Sequence, residues 1–250
     1  MLTLRAEFHV HTVLSPCAEL EMLPPMIVME ALERGIQLIA ITDHNSTGNI
    51  QAVQKAAAGT NLTVLPGMEM QTREEVHVLC LFDHLEQAQR WQEVVNASLP
   101  VLENRPNFFG DQLLVDEIGE FVAYESRLLL TSSSLSIDEV WRQVEILGGI
   151  VVPAHVDRPA NGLLTMLGFV PPEIPFPALE ISRQLKPAVA TVLHPQLAGY
   201  PLVQGGDAHR LEDIRGVNQL KIETPTISEL KLAFQNSSGR SSRILSSSTV

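Results

Sequence analysis

Six of the eight histidines in this 250-residue chain sit at or inside short apolar runs, several with a carboxylate beside them. His9 and His11 follow LTLRAEF. Asp43 and His44 follow LIAI, and Glu69 follows LTVLPG. His77 lies inside EVHVLCLF, His155 follows GIVVPA, and Asp207 and His209 follow PLVQGG. In a strand, residues i and i+2 point the same way, so His9 and His11 can reach one ion, and Asp207 and His209 repeat that spacing. An imidazole without a partner among the Val, Leu and Cys around His77 would cost free energy. Neutral imidazoles with carboxylates are the donor set that binds divalent transition metals. Taken singly, each residue has a bland alternative. HxH occurs by chance, Asp43-His44 suits an Asx-type turn, Glu69 could be solvated, and His77 could be a satisfied core histidine. Six separate strand ends each offering a ligand-type side chain are improbable on the bland reading.

Those side chains converge only if the strands share one sheet. The spacing predicts strands at 2–8, 37–41, 62–65, 76–82, 150–153, 178–181 and 202–204. Helices are expected at 24–34 (Pro at its start, Gly35 past its end), 49–58, 86–96 and 136–147. Ser136 with Glu139 forms a capping box, and Gly148 stops that helix. Strand–helix alternation of this kind indicates parallel strands with crossover helices. A parallel barrel presents the C-terminal strand ends around one mouth. Residues 100–130, with NRPNFFG, read as an inserted loop or hairpin, a candidate lid, and residues 161–177 are a second lid candidate. Phe108 and Phe109 would then be a lid or dimer contact. The expected folded domain is 1–235, followed by a serine-rich, flexible tail at 236–250.

The net charge of −12 argues against a nucleic-acid track, which needs a basic stripe. Bound metals can still reverse the local field for a small anionic substrate. Two cysteines, Cys17 and Cys80, provide no disulfide framework and suit a reducing, cytoplasmic setting. The N-terminus lacks the features of a signal peptide, and no apolar run approaches the ~20 residues of a membrane span.

HVH, ITDHN, GMEM, the histidine inside the fourth strand, PAHVDRP and GGDAH, in that order, resemble the PHP (polymerase and histidinol phosphatase) domain family over residues 7–215. The resemblance implies a distorted (β/α)7 TIM-like barrel, in agreement with seven strands. It also implies a metal cluster, usually trinuclear, that hydrolyses phosphoesters. Carried over position by position, His9, His11, Glu69 and Asp207 hold one metal. Glu69 bridges to a second metal, shared with His77 and His155, and His44 and His209 hold a third. The chain departs from the family at the third site, where an aspartate or histidine ligand is expected within TVLSPCAELE. Cys17, Glu19 and Glu21 can ligate there. Glu19 is preferred because a carboxylate suits Zn, Mn or Fe, with Glu21 second and Cys17 favouring softer metals. Asp43 is expected to orient a neighbouring ligand.

Arg158, Arg183 and Arg210 each follow a predicted strand end and are candidate phosphate contacts, with Arg158 preferred. Arg105 is a candidate mobile clamp. His209 is also a candidate proton donor to the leaving alcohol. His84 and His194 read as a helix cap and a helix end, and Trp91 and Trp141 as core residues. The expected activity is hydrolysis of a small phosphomonoester with two or three divalent ions per chain (Zn, Mn or Fe), without polymeric nucleic acid or membrane as partner. The competing reading is a catalytically silent, metal- or phospholigand-binding regulatory domain. A metal-dependent amidohydrolase ranks lowest, because no lysine stands at a predicted strand end.

Overall fold

The computed structural model describes residues 1–245. Its strands are β1 (Leu2–Val10), β2 (Leu38–Ile41), β3 (Thr63–Gln71), β4 (His77–Leu81), β5 (Leu113–Val115), β6 (Phe121–Tyr124), β7 (Ile150–Pro153), β8 (Leu179–Ile181), β9 (Leu202–Gln204), β10 (Asn218–Ile222) and β11 (Ser241–Ile244). The α-helices are α1 (Pro24–Glu33), α2 (Ile50–Ala56), α3 (Leu85–Ser98), α4 (Pro106–Phe109), α5 (Ile137–Ile146), α6 (Leu163–Leu167), α7 (Ala190–Leu193) and α8 (Ile227–Phe234). All seven expected strands are present. The capping box at the start of α5 also forms: the Glu139 N–H donates to Ser136 Oγ, and the Ser136 N–H donates to Glu139 Oε2.

The architecture is a curled seven-stranded sheet in the order β11-β10-β1-β2-β3-β4-β7, with β8 and β9 forming a separate parallel pair. Main-chain bonds join that pair to the large sheet on both sides. The Val156 N–H donates to the Glu180 carbonyl after β7. Beside the end of β1, the Ala208 N–H donates to the His9 carbonyl and the His11 N–H to the Ala208 carbonyl. One buried cluster draws Phe8, Leu38, Leu65, Leu79, Val152, Val203 and Leu220 from seven different strands. A face shared by so many strands is the inside of a curl. α8 closes it with Leu230 and Phe234, the latter edge-on to Phe8 at 6.0 Å. The alternate residues, such as Ile39, Ile41, Val78, Cys80 and Val151, pack outward beneath the helices. Period-2 alternation with both faces apolar is what a sheet buried on both sides requires.

Three expectations are corrected. The sheet is not an all-parallel (β/α)7 barrel, because β4 runs antiparallel to both β3 and β7. β3 continues six residues past its expected end at 65 and leaves only residues 72–76 before β4, a hairpin-length link too short for a crossover helix. The serine-rich segment is not flexible throughout: β11 pairs antiparallel with β10, the Leu245 N–H donates to the Val217 carbonyl, and Ile244 packs on the main core. The remainder of that segment, 246–250, lies outside the described residues. Finally, 100–130 is not a loose lid. It forms α4 and the β5–β6 hairpin, fastened by Asn49, whose Nδ2 donates to the Leu113 carbonyl and whose Oδ1 accepts from the Val115 N–H.

No helix among the described residues is long and apolar enough to cross a membrane. His84 N-caps α3, with its N–H donating to Gln87 Oε1, and His194 ends α7. Trp91 is fully buried, and Trp141 packs against the core.

Candidate metal centre

The ends of β1, β2 and β7, the beginning of β4, the second half of β3 and the loop after β9 meet on one side of the sheet. β4's reversal explains why its histidine comes first in the strand: His77 pairs in register with Gln71, two residues beyond Glu69. A cavity of about 440 Å³ opens there, lined in part by His44, Glu69, His77, His155, Asp207 and His209. His9 and His11 form its buried floor, both with no solvent exposure.

Glu69 is the hub. Its Oε1 lies 3.2 Å from His9 Nε2, 2.8 Å from His77 Nδ1 and 3.0 Å from His155 Nε2. Its Oε2 lies 3.5 Å from His11 Nε2 and 2.8 Å from His44 Nδ1, yet no donor points at it with hydrogen-bond geometry. Asp207 Oδ1 sits 3.2 Å from both His9 Nε2 and His11 Nε2, and those two nitrogens are 3.1 Å apart. Atoms bound at about 2.1 Å to one ion stand roughly 3–3.5 Å from one another. The His9, His11, Glu69 and Asp207 atoms have that spacing, and a buried carboxylate oxygen without a donor faces the same space. His44, Glu69 and His77 form a second group of converging donor atoms, and His11, His44 and His209 a third. These residues fit divalent cations.

Neighbouring groups aim the rings. His9 Nδ1–H donates to Glu180 Oε1 at 2.9 Å, which leaves the Nε2 lone pair facing Glu69 and Asp207. His11 Nδ1–H donates to Ser15 Oγ at 2.9 Å, and Ser15 in turn donates to Asp43 Oδ1 at 2.7 Å. Asp43 therefore acts through Ser15, and it also accepts from the Thr12 N–H and hydroxyl. His209 Nδ1–H donates to the Asp207 carbonyl at 2.8 Å, leaving the Nε2 lone pair facing Cys17 Sγ. Fixing the tautomer through the second ring nitrogen is the usual device at metal-binding histidines. Asn45, His155 and Asp207 all take positive φ values (49°, 31° and 47°), and backbone strain of this kind gathers at functional sites.

Electrostatics agree with a cation site. Burial works to raise the Glu69 and Asp207 carboxyls, but the surrounding imidazoles outweigh it and hold both well below the usual carboxylate range. Burial, together with His209 and His44, pushes His11 well below its ordinary value and keeps it a neutral donor. For Cys17, burial opposes ionisation, but hydrogen bonds with His209 and His44 bring the thiol down to about 6.

The sequence reading missed Glu180. It is fully buried in the strand ALEIS and holds both His9 and the His155 N–H (3.1 Å). An acid inside an apolar strand is the same signal that singled out His77. Gly205 stands against it, since a Cβ there would collide with the Glu180 carboxylate.

At the third site the structure places Cys17, not Glu19, at the cluster. Glu19 turns outward to pair with Arg210 Nε at 2.7 Å, and its backbone N–H donates to the His209 carbonyl. Glu21 is exposed and does not line the cavity. The three arginines do border the cavity, each paired with an acid: Arg158 with Asp207, Arg183 with Asp213, and Arg210 with Glu19. Arg105 and the rest of 100–130 do not line it, nor do residues 161–177.

The PHP domain family model matches residues 7–144, more than half of the chain. The chain belongs to the PHP domain family. An uncharacterized protein of Streptococcus pneumoniae serotype 4 (strain ATCC BAA-334 / TIGR4) is 23% identical over 131 residues, 44% of this chain and 48% of that one. The lesion-specific endonuclease PfuEndoQ of Pyrococcus furiosus shares the fold with a TM-score of 0.74 at 16% identity, over 96% of this chain and 58% of its own. Endonuclease Q has also been solved with a 27-mer duplex carrying an abasic lesion at its active site (TM-score 0.71, 16% identity, 96% and 58% coverage). A protein of Bifidobacterium adolescentis described as a metal-dependent phosphoesterase matches with a TM-score of 0.55 at 21% identity, over 82% and 87% of the two chains. The PHP chain thus spans about half the length of its pneumococcal relative and little more than half of the endonuclease.

These structures overturn the expectation that polymeric nucleic acid is excluded as a partner. The same fold meets a DNA duplex in the endonuclease. A net charge of −12 is a property of the whole surface, whereas the cavity has Arg158, Arg183 and Arg210 beside Glu69, Asp207 and Asp213, and cations held by the cluster would add positive charge there.

Proposed function

We propose that this PHP domain is a metal-dependent phosphoesterase whose cavity takes the phosphate of its ester substrate. The observation that carries the reading is the Glu69 carboxylate, which one side chain places against His9, His11, His44, His77 and His155 together. A single buried acid in contact with five imidazoles suits a bridge between adjacent cations and has no evident structural purpose otherwise. Divalent ions held there supply Lewis acidity that neutralises phosphate charge and activates water for hydrolysis.

The chain's own groups have separable tasks. His9, His11, Glu69 and Asp207 hold the first position, and Glu69 with His77 and His155 holds the second. Glu180 and the Asp43–Ser15 pair keep His9 and His11 in the ligating tautomer. Arg158 lies between Asp207 and the open cavity, and exchanging one carboxylate partner for a phosphate oxygen puts a planar cation on the reacting group. His209, whose Nε2 faces Cys17, is assigned a ligand role rather than that of leaving-group acid.

The experiment is metal analysis of the purified protein beside hydrolysis assays with Mn, Zn and Fe. Two substrates separate the ester classes: an aryl phosphate monoester, and a duplex DNA with an abasic site. The expected result is two or three ions per chain and metal-dependent release of product from one of them. Bound metal without turnover on either ester would return the chain to the silent-domain reading. No metal after reconstitution would defeat the reading altogether.

A further inference from the structure

Between Thr12 and Met22 the chain makes a tight loop whose course is fixed by main-chain bonds. The Ser15 N–H donates to the Thr12 carbonyl, Ala18 to Ser15, Met22 to Glu19, and Val13 to Met22. The Glu19 N–H donates to the His209 carbonyl and ties this loop to the one that carries Asp207 and His209. The insertion presses on it from outside, because a Cβ at Gly110 would collide with the Pro16 carbonyl. Held this way, the loop turns Glu19 out to Arg210 and Cys17 in to the cavity.

Cys17 Sγ lies 3.0 Å from His209 Nε2. The other nitrogen of that ring donates to the Asp207 carbonyl, so the atom facing sulfur carries a lone pair. Cys17 and His44 both line the cavity, and the His44 imidazole converges with those of His11 and His209. A nitrogen and a sulfur bound to one ion at about 2.1 and 2.3 Å fall within reach of that spacing.

We infer that the third metal position of this chain is a thiolate site, built from Cys17, His44 and His209, where the sequence pattern suggests a carboxylate. The inference rests on the phosphoesterase reading only for the presence of a cluster, and it concerns which atoms hold its outermost ion. The ligating form is the thiolate, which a bound cation itself favours. A thiolate beside two imidazoles selects Zn, Fe or Co over Mn and Mg, which prefer oxygen donors. The site would then differ in metal preference from the carboxylate-rich positions around Glu69.

The test is cobalt(II) titration of the full chain, compared with Cys17→Ser and Cys17→Ala. The near-ultraviolet sulfur-to-cobalt charge-transfer band reports a thiolate ligand, independently of hydrolysis. Cys80 cannot supply the band, because it is fully buried beside Trp91 and burial pushes its thiol far above the ordinary range. The wild-type chain should develop the band as its last ion binds. Both variants should lack it and hold one ion fewer, while the visible cobalt bands from the remaining sites persist and show that the cluster is folded. As a second measurement on unaltered protein, iodoacetamide should modify Cys17 in the metal-free chain, and cobalt or zinc should suppress that modification at least tenfold. A cobalt-loaded wild-type chain that hydrolyses phosphoester but shows no band would sink this inference and leave the phosphoesterase reading standing. Unprotected Cys17 in the fully loaded protein would do the same. Failure to bind any cobalt would end both.

Discussion

Glu180 provides a quantitative test of the centre, since it touches ligands from behind without facing the cavity as they do. Its Oε1 accepts from His9 Nδ1–H at 2.9 Å and from the His155 N–H at 3.1 Å, with all partners buried. A hydrogen bond to a charged group contributes about 1.5–3 kcal/mol, against roughly 0.5–1.5 kcal/mol for a neutral one. Glu180→Gln keeps an acceptor but removes the charge that strengthens His9 as a donor to a cation. The expected loss is about 1–2 kcal/mol in metal binding, roughly a five- to thirtyfold weaker affinity and within the range found for partners of ligand histidines. Its new amide nitrogen takes the place of Oε2, which has no partner, so about 1 kcal/mol of stability goes too. Glu180→Ala instead strands two buried donors at about 1–3 kcal/mol each, and the metal-free fold itself should weaken. Competition with a chromophoric chelator measures the first effect, and thermal unfolding of the metal-free chain measures the second. If Glu180→Gln folds and binds zinc within twofold of wild type, the argument that Glu180 orients His9 for a cation is wrong.

Other outcomes follow from the same contacts. Gly205→Ala places a methyl group against the Glu180 carboxylate and should weaken zinc binding in the same direction, measured by the same competition. Arg158→Ala should lower kcat/KM by about 10²–10³ while metal content stays at the wild-type level, as expected for loss of one charged contact to the reacting group. Arg158→Lys should recover little of that, since an ammonium cannot reproduce the guanidinium's fork; steady-state kinetics on metal-analysed protein decides both. Away from the site, hydrogen bonds from Arg240 depress the Glu229 pKa. A depressed carboxyl contributes stability that is present above its unfolded value and lost as pH falls through the folded one. Glu229→Gln should therefore unfold at lower temperature than wild type at pH 7, with the gap closing as the solution is acidified below the carboxylate range.

Much of the centre was legible in the sequence because strands impose a short-range rule. The i, i+2 spacing alone puts His9 with His11, and apolar alternation marks the runs that deliver Glu69, His77 and His155. The capping box of α5 is equally local, written in Ser136 and Glu139. Glu180 was readable by the same logic, as an acid inside the expected strand at 178–181.

What tertiary structure alone decided depends on partners distant in sequence. Alternation is identical for parallel and antiparallel strands, so the direction of β4 followed from how far β3 extends and how short a link remains. β10 joined the sheet because β1 offered free backbone groups about 200 residues away in the chain, and β11 then added the edge strand beside it, which no local pattern reports. Which of Cys17 and Glu19 faces the cavity turned on a main-chain bond from Glu19 to His209 and on Arg210 drawing the carboxylate outward. The sequence thus determined the chemical inventory and which residues share a strand face. The fold decided which loop atoms meet across the mouth, because loops take their course from the groups they bond and not from a repeating backbone geometry.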